Sequence, residues 1–128
     1  QRNLEAATNC CHSIGETLNS NVYSMMAPSF INKIGIATNQ GTAPYNYPIG
    51  TVIVKEQYMN KAKWEAQESS GITIMVKVAQ SDTPRSDNWH WSVGLTEAAG
   101  KNVFCSGCHS IAMVSDYTFT NEDFFKKH

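Results

Sequence analysis

The chain has 128 residues, with 10 Lys plus Arg, 11 Asp plus Glu and a net charge of −1. This length fits one domain that can bury a core of its own. The charge excludes a general nucleic-acid binder, because no basic excess is available to neutralise phosphates. Hydrophobic residues at 41% and charged residues at 16% exclude a disordered chain. No apolar run reaches the roughly 18 residues that a membrane span requires.

The N-terminal segment is predicted to form a helix, so that residues 1–21 are an extension before a single domain at residues 22–128. Apolar residues recur there at helical spacing: Leu4, Ala7, Cys11, Ile14 and Leu18. This stripe puts Cys11 on the buried side of the helix and Cys10 off it. Adjacent cysteines rarely bridge each other, so Cys10 and Cys11 are candidates for an intermolecular disulfide.

The middle of the chain predicts antiparallel β-structure. Ile34 and Ile36 indicate a short strand, and the β-branched residues 51–55 after Gly50 indicate another. Residues 71–78 then alternate, with two sets of side chains on opposite faces: Ile72, Ile74, Val76 and Val78 on one, and Thr73, Met75 and Lys77 on the other. Residues 89–95 alternate again, and residues 119–128 carry a weak helix signal. We therefore expect a mainly β (α+β) fold, an antiparallel sheet body with an N-terminal helix and a C-terminal cysteine segment.

The chemistry of the chain is concentrated at residues 105–109. Cys105, Cys108 and His109 form a C-x-x-C-H motif, which is the attachment signature of a c-type haem. Two thiols one helical turn apart can reach two vinyl groups on one porphyrin edge, and the histidine then supplies the proximal iron ligand. We predict one covalently bound haem c.

Two other interpretations of the same cysteines remain open. A C-x-x-C pair can be half of a zinc site in an interaction domain, with the other ligands from Cys10, Cys11 or His12. It can also be a redox dithiol, although that motif usually lies at a strand-to-helix junction in a βαβ unit, which this sequence lacks.

The chain begins at Gln1 rather than at a methionine. A processed N-terminus is typical of an exported protein. Haem c assembly also requires export, so we expect a periplasmic or extracellular location.

Several ordered segments carry a family resemblance: residues 50–56, 71–78, 88–89, 105–109 and 116–120. Over roughly residues 45–122 the chain resembles the cytochrome P460 family, which includes the cytochromes c′-beta. The resemblance implies a β-sheet body, a haem c near the C-terminus and an iron that is often five-coordinate. It also implies chemistry on hydroxylamine and nitric oxide.

The resemblance assigns roles to individual positions. Cys105 and Cys108 match the thioether cysteines, and His109 matches the proximal ligand. Lys55 matches the lysine that hydroxylamine-oxidising members bond to the porphyrin edge. Thr73 matches the distal position where those members have a glutamate, the group suited to remove protons from an N–H substrate. Because threonine cannot act as that base, whether the protein is an enzyme of this kind stays open.

Other side chains are candidates for the distal pocket or the iron. Met75 shares a strand face with Thr73 and either lines this pocket or packs in the core. His90 and His12 are candidates for a sixth ligand. If His12 binds the iron of a neighbouring subunit, the N-terminal segment would link single-haem subunits into a homo-oligomer or filament.

Taken together, these features favour an exported monohaem cytochrome that transfers electrons to or from a redox partner protein. The alternatives are binding or oxidation of a small nitrogen oxide at an open iron site, and a zinc-stabilised interaction domain. We expect no nucleic-acid partner and no membrane span.

Overall fold

The structure is a computed structural model that describes residues 29–58, 61–69, 71–94 and 98–119. The predicted N-terminal helix lies outside these residues, together with Cys10, Cys11 and His12. The helix predicted at the C-terminus also lies outside them, beyond Phe119.

The described residues form one antiparallel sheet with the strand order β1-β2-β3-β4. The strands are β1 at Ser29–Ile31, β2 at Val52–Gln57, β3 at Gly71–Lys77 and β4 at Trp89–Ser92. The predicted antiparallel β-body is therefore confirmed.

Short helices connect and follow the strands. They are α1 at Lys33–Asn39, α2 at Lys61–Glu65 and α3 at Val103–His109, with 3₁₀ helices at Ser86–Asn88 and Ser110–Ser115. Among the residues that the structure describes, no helix has the length and apolar character needed to cross a membrane.

The sheet turns one face to the core, and the strand register decides which side chains lie on it. Lys55 is directly opposite Thr73, and Met75 lies between Ile53 and Trp91. The buried cluster combines this face with aromatic residues from the loops: Tyr45, Tyr47, Ile53, Met75, Trp89, Trp91 and Tyr117. On β3 the core therefore receives the face with Thr73, Met75 and Lys77, although the opposite face is the more apolar one.

The predicted strand at Ile34 and Ile36 is wrong, because both residues lie in α1. Three residues of alternation do not distinguish a strand from a helix. Gly35 is the buried residue between them. A Cβ on Gly35 would lie 2.5 Å from Thr51 Cγ2 and 2.7 Å from Ile31 Cδ1, so the glycine lets the helix approach the sheet.

Strand β4 is shorter than the alternation up to residue 95 predicts. It ends at Ser92, and Val93 is exposed rather than aligned with the buried tryptophans. Gly94 has a φ of +113°, which turns the chain away. The chain then returns to the sheet at Gly100, which exchanges two backbone hydrogen bonds of 2.7 and 3.0 Å with Trp91.

Candidate functional site

Helix α3 carries the three residues of the C-x-x-C-H motif. Its start is capped by Asn102, whose side-chain oxygen accepts hydrogen bonds of 3.0 Å from the backbone N–H groups of Phe104 and Cys105. Cys108 lies three residues and His109 four residues after Cys105, so all three point to one side of the helix. Neither cysteine forms a disulfide.

The ring of His109 is buried between two aromatic side chains. Its centroid lies 4.6 Å from that of Trp91 on β4 and 4.6 Å from that of Phe119. Both neighbours are themselves buried. The ring is therefore held in one plane and shielded from water.

One nitrogen of this ring is committed to the backbone. Nδ1 of His109 lies 2.8 Å from the carbonyl oxygen of Tyr117. Because a carbonyl only accepts hydrogen bonds, Nδ1 carries the proton and Nε2 carries the lone pair. Burial lowers the pKa of His109 to about 4; the charge of Lys55 also lowers it, and the bond to Tyr117 opposes both. The ring is therefore neutral at pH 7, in the tautomer that a metal ligand requires.

Lys55 is an unusual buried amine. Among the residues that the structure describes, its Nζ has no hydrogen-bond partner, and it is shielded from solvent. Burial lowers the pKa of Lys55 to about 7, so a large fraction of the amine is neutral and nucleophilic at physiological pH.

The other predicted site residues divide between the two faces of the sheet. Thr73 is opposite Lys55 on the inner face. Met75 is buried in the hydrophobic cluster on that face. His90 is opposite Val76 and alternates with Trp91, so the structure places it on the other face, away from His109.

A comparison with known protein families identifies the family of this chain. The sequence model of the cytochrome P460 family matches residues 9–120. The chain belongs to this family. The match begins well before residue 45, so it includes the N-terminal cysteine pair that we expected to lie outside the resemblance. Searches of curated proteins and of solved structures found no match.

Membership of the cytochrome P460 family implies a haem cofactor, and the residues present fit one. His109 is neutral and points its lone pair from Nε2, as a proximal ligand must. Cys105 and Cys108 are not in a disulfide, and Lys55 supplies a buried amine with no partner in the described residues. An unpaired buried amine is costly in a folded protein, and the described residues offer this one no hydrogen-bond partner.

The two other interpretations of the cysteine pair stand differently. The zinc interpretation stays a prediction, because Cys10, Cys11 and His12 lie outside the described residues, in which no group of three His, Cys, Asp or Glu residues is arranged to hold a metal ion. The redox dithiol finds less support. Burial raises the pKa of Cys105, whereas a redox dithiol needs a thiol with a lowered pKa.

Sequence reasoning missed a buried ion pair between Lys77 and Asp116. The side chain of Lys77 has 0% exposure and that of Asp116 has 2%. Burial lowers the pKa of Lys77, and the hydrogen bond and charge of Asp116 oppose that shift. The available signal was Lys77 itself, a lysine on the strand face that also carries Thr73 and Met75.

Proposed function

We propose that the protein is an exported cytochrome that carries one covalently attached haem c and transfers electrons. The observation that carries this proposal is a helix on the surface whose histidine is buried. Val103 and Phe104 of α3 are 89% and 66% exposed, while His109 is buried at 8%. A cofactor held there would have one edge close to solvent and to a redox partner protein.

The residues of α3 would bind the cofactor in a defined way. The thiols of Cys105 and Cys108 would each add S–H across a vinyl double bond, which forms two thioethers without a leaving group. His109 would coordinate through Nε2, with Trp91 and Phe119 keeping the ring in place and excluding water. When bound, the haem supplies a one-electron Fe³⁺/Fe²⁺ couple.

The proposal also covers location and assembly. Haem c attachment takes place on exported chains, which supports a periplasmic or extracellular protein. Cys10 and Cys11 support a covalent homo-oligomer as one form of that protein.

A second candidate function is the binding of a small nitrogen oxide, and the arrangement of Lys55 and Thr73 favours it. These residues are paired across β2 and β3 on the inner face. The hydroxyl of Thr73 and the amine of Lys55 can both hydrogen-bond to a small polar ligand. Thr73 lacks the acidity of a carboxyl group, which favours ligand binding over proton abstraction from hydroxylamine.

Optical spectra of the full chain, matured with haem c, test both functions. We expect a haem that stays attached after denaturation and acid-acetone extraction. Sharp, low-spin reduced bands that do not change on adding nitric oxide would support electron transfer. A high-spin spectrum that shifts with nitric oxide would support the second function.

A pair of variants controls this experiment. Replacing both thiols (C105A/C108A) should abolish covalent attachment, whereas Ser106→Ala, at an intervening position of the same motif, should leave it intact. A wild-type chain without haem would overturn both functions.

A further inference from the structure

The turn after the second 3₁₀ helix has a strained backbone. Asp116 and Tyr117 are consecutive non-glycine residues with φ values of 55° and 63°. The left-handed conformation is disfavoured for L-residues other than glycine, so the surrounding structure must hold this turn in place. Backbone hydrogen bonds from Asp116 N to Met113 O (3.0 Å) and from Tyr117 N to Ala112 O (2.9 Å) contribute to this.

The carboxylate of Asp116 anchors the same turn to three separate parts of the fold. Its Oδ2 accepts from the backbone N–H of Tyr47 at 2.9 Å and from Nζ of Lys77. Its Oδ1 accepts from the indole N–H of Trp89 at 3.4 Å. Lys77 also lies over the Trp89 ring, 5.1 Å from its centroid. The carboxylate of Asp116 therefore accepts hydrogen bonds from the loop before β2, from the end of β3 and from the start of β4.

The turn ends in the carbonyl group of Tyr117, which accepts the hydrogen bond from Nδ1–H of His109. The position of the Tyr117 carbonyl depends on the backbone angles of Asp116 and Tyr117, and these depend on the anchored carboxylate. We propose that Asp116, with Lys77 as its buried counter-ion, is a positioning residue that sets the donor strength of His109 toward the haem iron. This inference rests on the proposed function, because it assumes that His109 is the proximal ligand.

The expected effect has a definite sign. A hydrogen bond from Nδ1–H of a ligating histidine makes the ring more basic and a better donor to the metal. Stronger donation stabilises Fe³⁺ relative to Fe²⁺. Loosening the turn lengthens or misaligns the bond to Tyr117, so the reduction potential should rise.

Two substitutions of Asp116 should raise the reduction potential of the haem-loaded full chain by different amounts. All three partners of the carboxylate are donors, so in D116N the amide must turn its NH₂ toward at least one of them. D116N should raise the reduction potential, and D116A, which loses all three bonds, should raise it further. For D116A we expect about a tenfold change in the Fe³⁺/Fe²⁺ equilibrium constant, which is about 59 mV for one electron.

The exposed pair Lys63–Glu68 supplies the matched control, and K63M/E68Q should leave the potential unchanged.

The double variant K77M/D116N separates positioning from stability. Removing both charges avoids leaving one of them buried without a partner, so it should unfold at a higher temperature than K77M alone. Its potential should still rise as in D116N.

Haem content is measured first on every protein, as the haemochrome in alkaline pyridine. Absence of haem from the wild-type chain would overturn the proposed function. If the Fe³⁺/Fe²⁺ equilibrium constants of haem-loaded D116N and D116A stay within twofold of the wild-type value, this inference alone is overturned. If D116A does not fold, D116N and K77M/D116N decide the matter.

Discussion

At the scale of single residues, the site depends on two buried side chains with nitrogen atoms, of which one has a hydrogen-bond partner and the other has none among the described residues. His109 is buried, its Nδ1–H donates a hydrogen bond to a backbone carbonyl, and its pKa falls to about 4. Lys55 is buried with no hydrogen-bond partner in the described residues, and its pKa falls to about 7. The histidine is therefore fixed as a neutral ligand, whereas the lysine changes its charge near physiological pH.

The first prediction concerns the reactivity of Lys55. Bonding of Nζ to a porphyrin edge carbon would replace one N–H and one C–H bond by a C–N bond, and it would transfer two electrons to an added oxidant such as peroxide. Only the neutral amine is a nucleophile, and its fraction rises as pH passes upward through the pKa of about 7. Conversion to a red-shifted Soret form should therefore be about tenfold faster at pH 8 than at pH 6.

Stopped-flow absorbance of the haem-loaded protein measures this rate. K55M should not convert at either pH, whereas K33M changes an unburied lysine of α1 and should behave as wild type. A pH-independent rate, or conversion of K55M, would show that the amine of Lys55 is not the reacting group.

At the scale of elements, helix α3 is held at its start by one side chain. Asn102 satisfies two backbone N–H groups of a helix that is only seven residues long. N102A should destabilise the protein by about 0.5–2 kcal/mol, whereas N102D should retain most of the wild-type stability. Urea unfolding of the haem-loaded protein measures both, and equal stability of N102A and N102D would contradict the capping role.

The contact between α1 and the sheet gives another prediction at this scale. The Cβ of G35A would collide with Thr51 and Ile31, so the substitution should destabilise the protein by about 1–3 kcal/mol. Gly107 is also helical, but a Cβ there would meet nothing within 4 Å. G107A should therefore stabilise by about 0.5–1 kcal/mol. Thermal unfolding distinguishes the two, and a neutral G35A would show that α1 is not closely packed.

Parts of these elements were predictable from the sequence, and the reasons are physical. The β-branched runs and the C-x-x-C-H spacing are local patterns, so β2, β3 and the cysteine motif follow from them directly. The partner of His109 does not, because a backbone carbonyl has no sequence signal. The Lys77–Asp116 pair joins residues 39 positions apart, so no local pattern predicts it. Hydrophobic alternation also does not indicate that the face of β3 with Lys77 is the one turned toward the core.

At the scale of the whole molecule, the N-terminal cysteines concern assembly. Once Cys105 and Cys108 are thioethers, only Cys10 and Cys11 remain to form an intermolecular disulfide. We expect the matured protein to run partly as a covalent dimer on a non-reducing gel and as a monomer after reduction. C10S/C11S should remove the dimer without changing the optical spectrum. A wild-type protein that runs only as a monomer would contradict this assembly.

The burial of Lys77 also has a consequence for how the chain selects its register. Hydrophobicity alone would turn Ile72, Ile74 and Val76 of β3 inward, and a slip of one residue exchanges the two faces of a strand. In that alternative register Lys77 would leave Asp116 without a counter-ion, and Thr73 would no longer face the core with Lys55. A buried ion pair contributes little net stability, but it penalises wrong pairings heavily. We therefore expect this pair also to select the register of the sheet, so that a chain in the wrong register cannot form the histidine site.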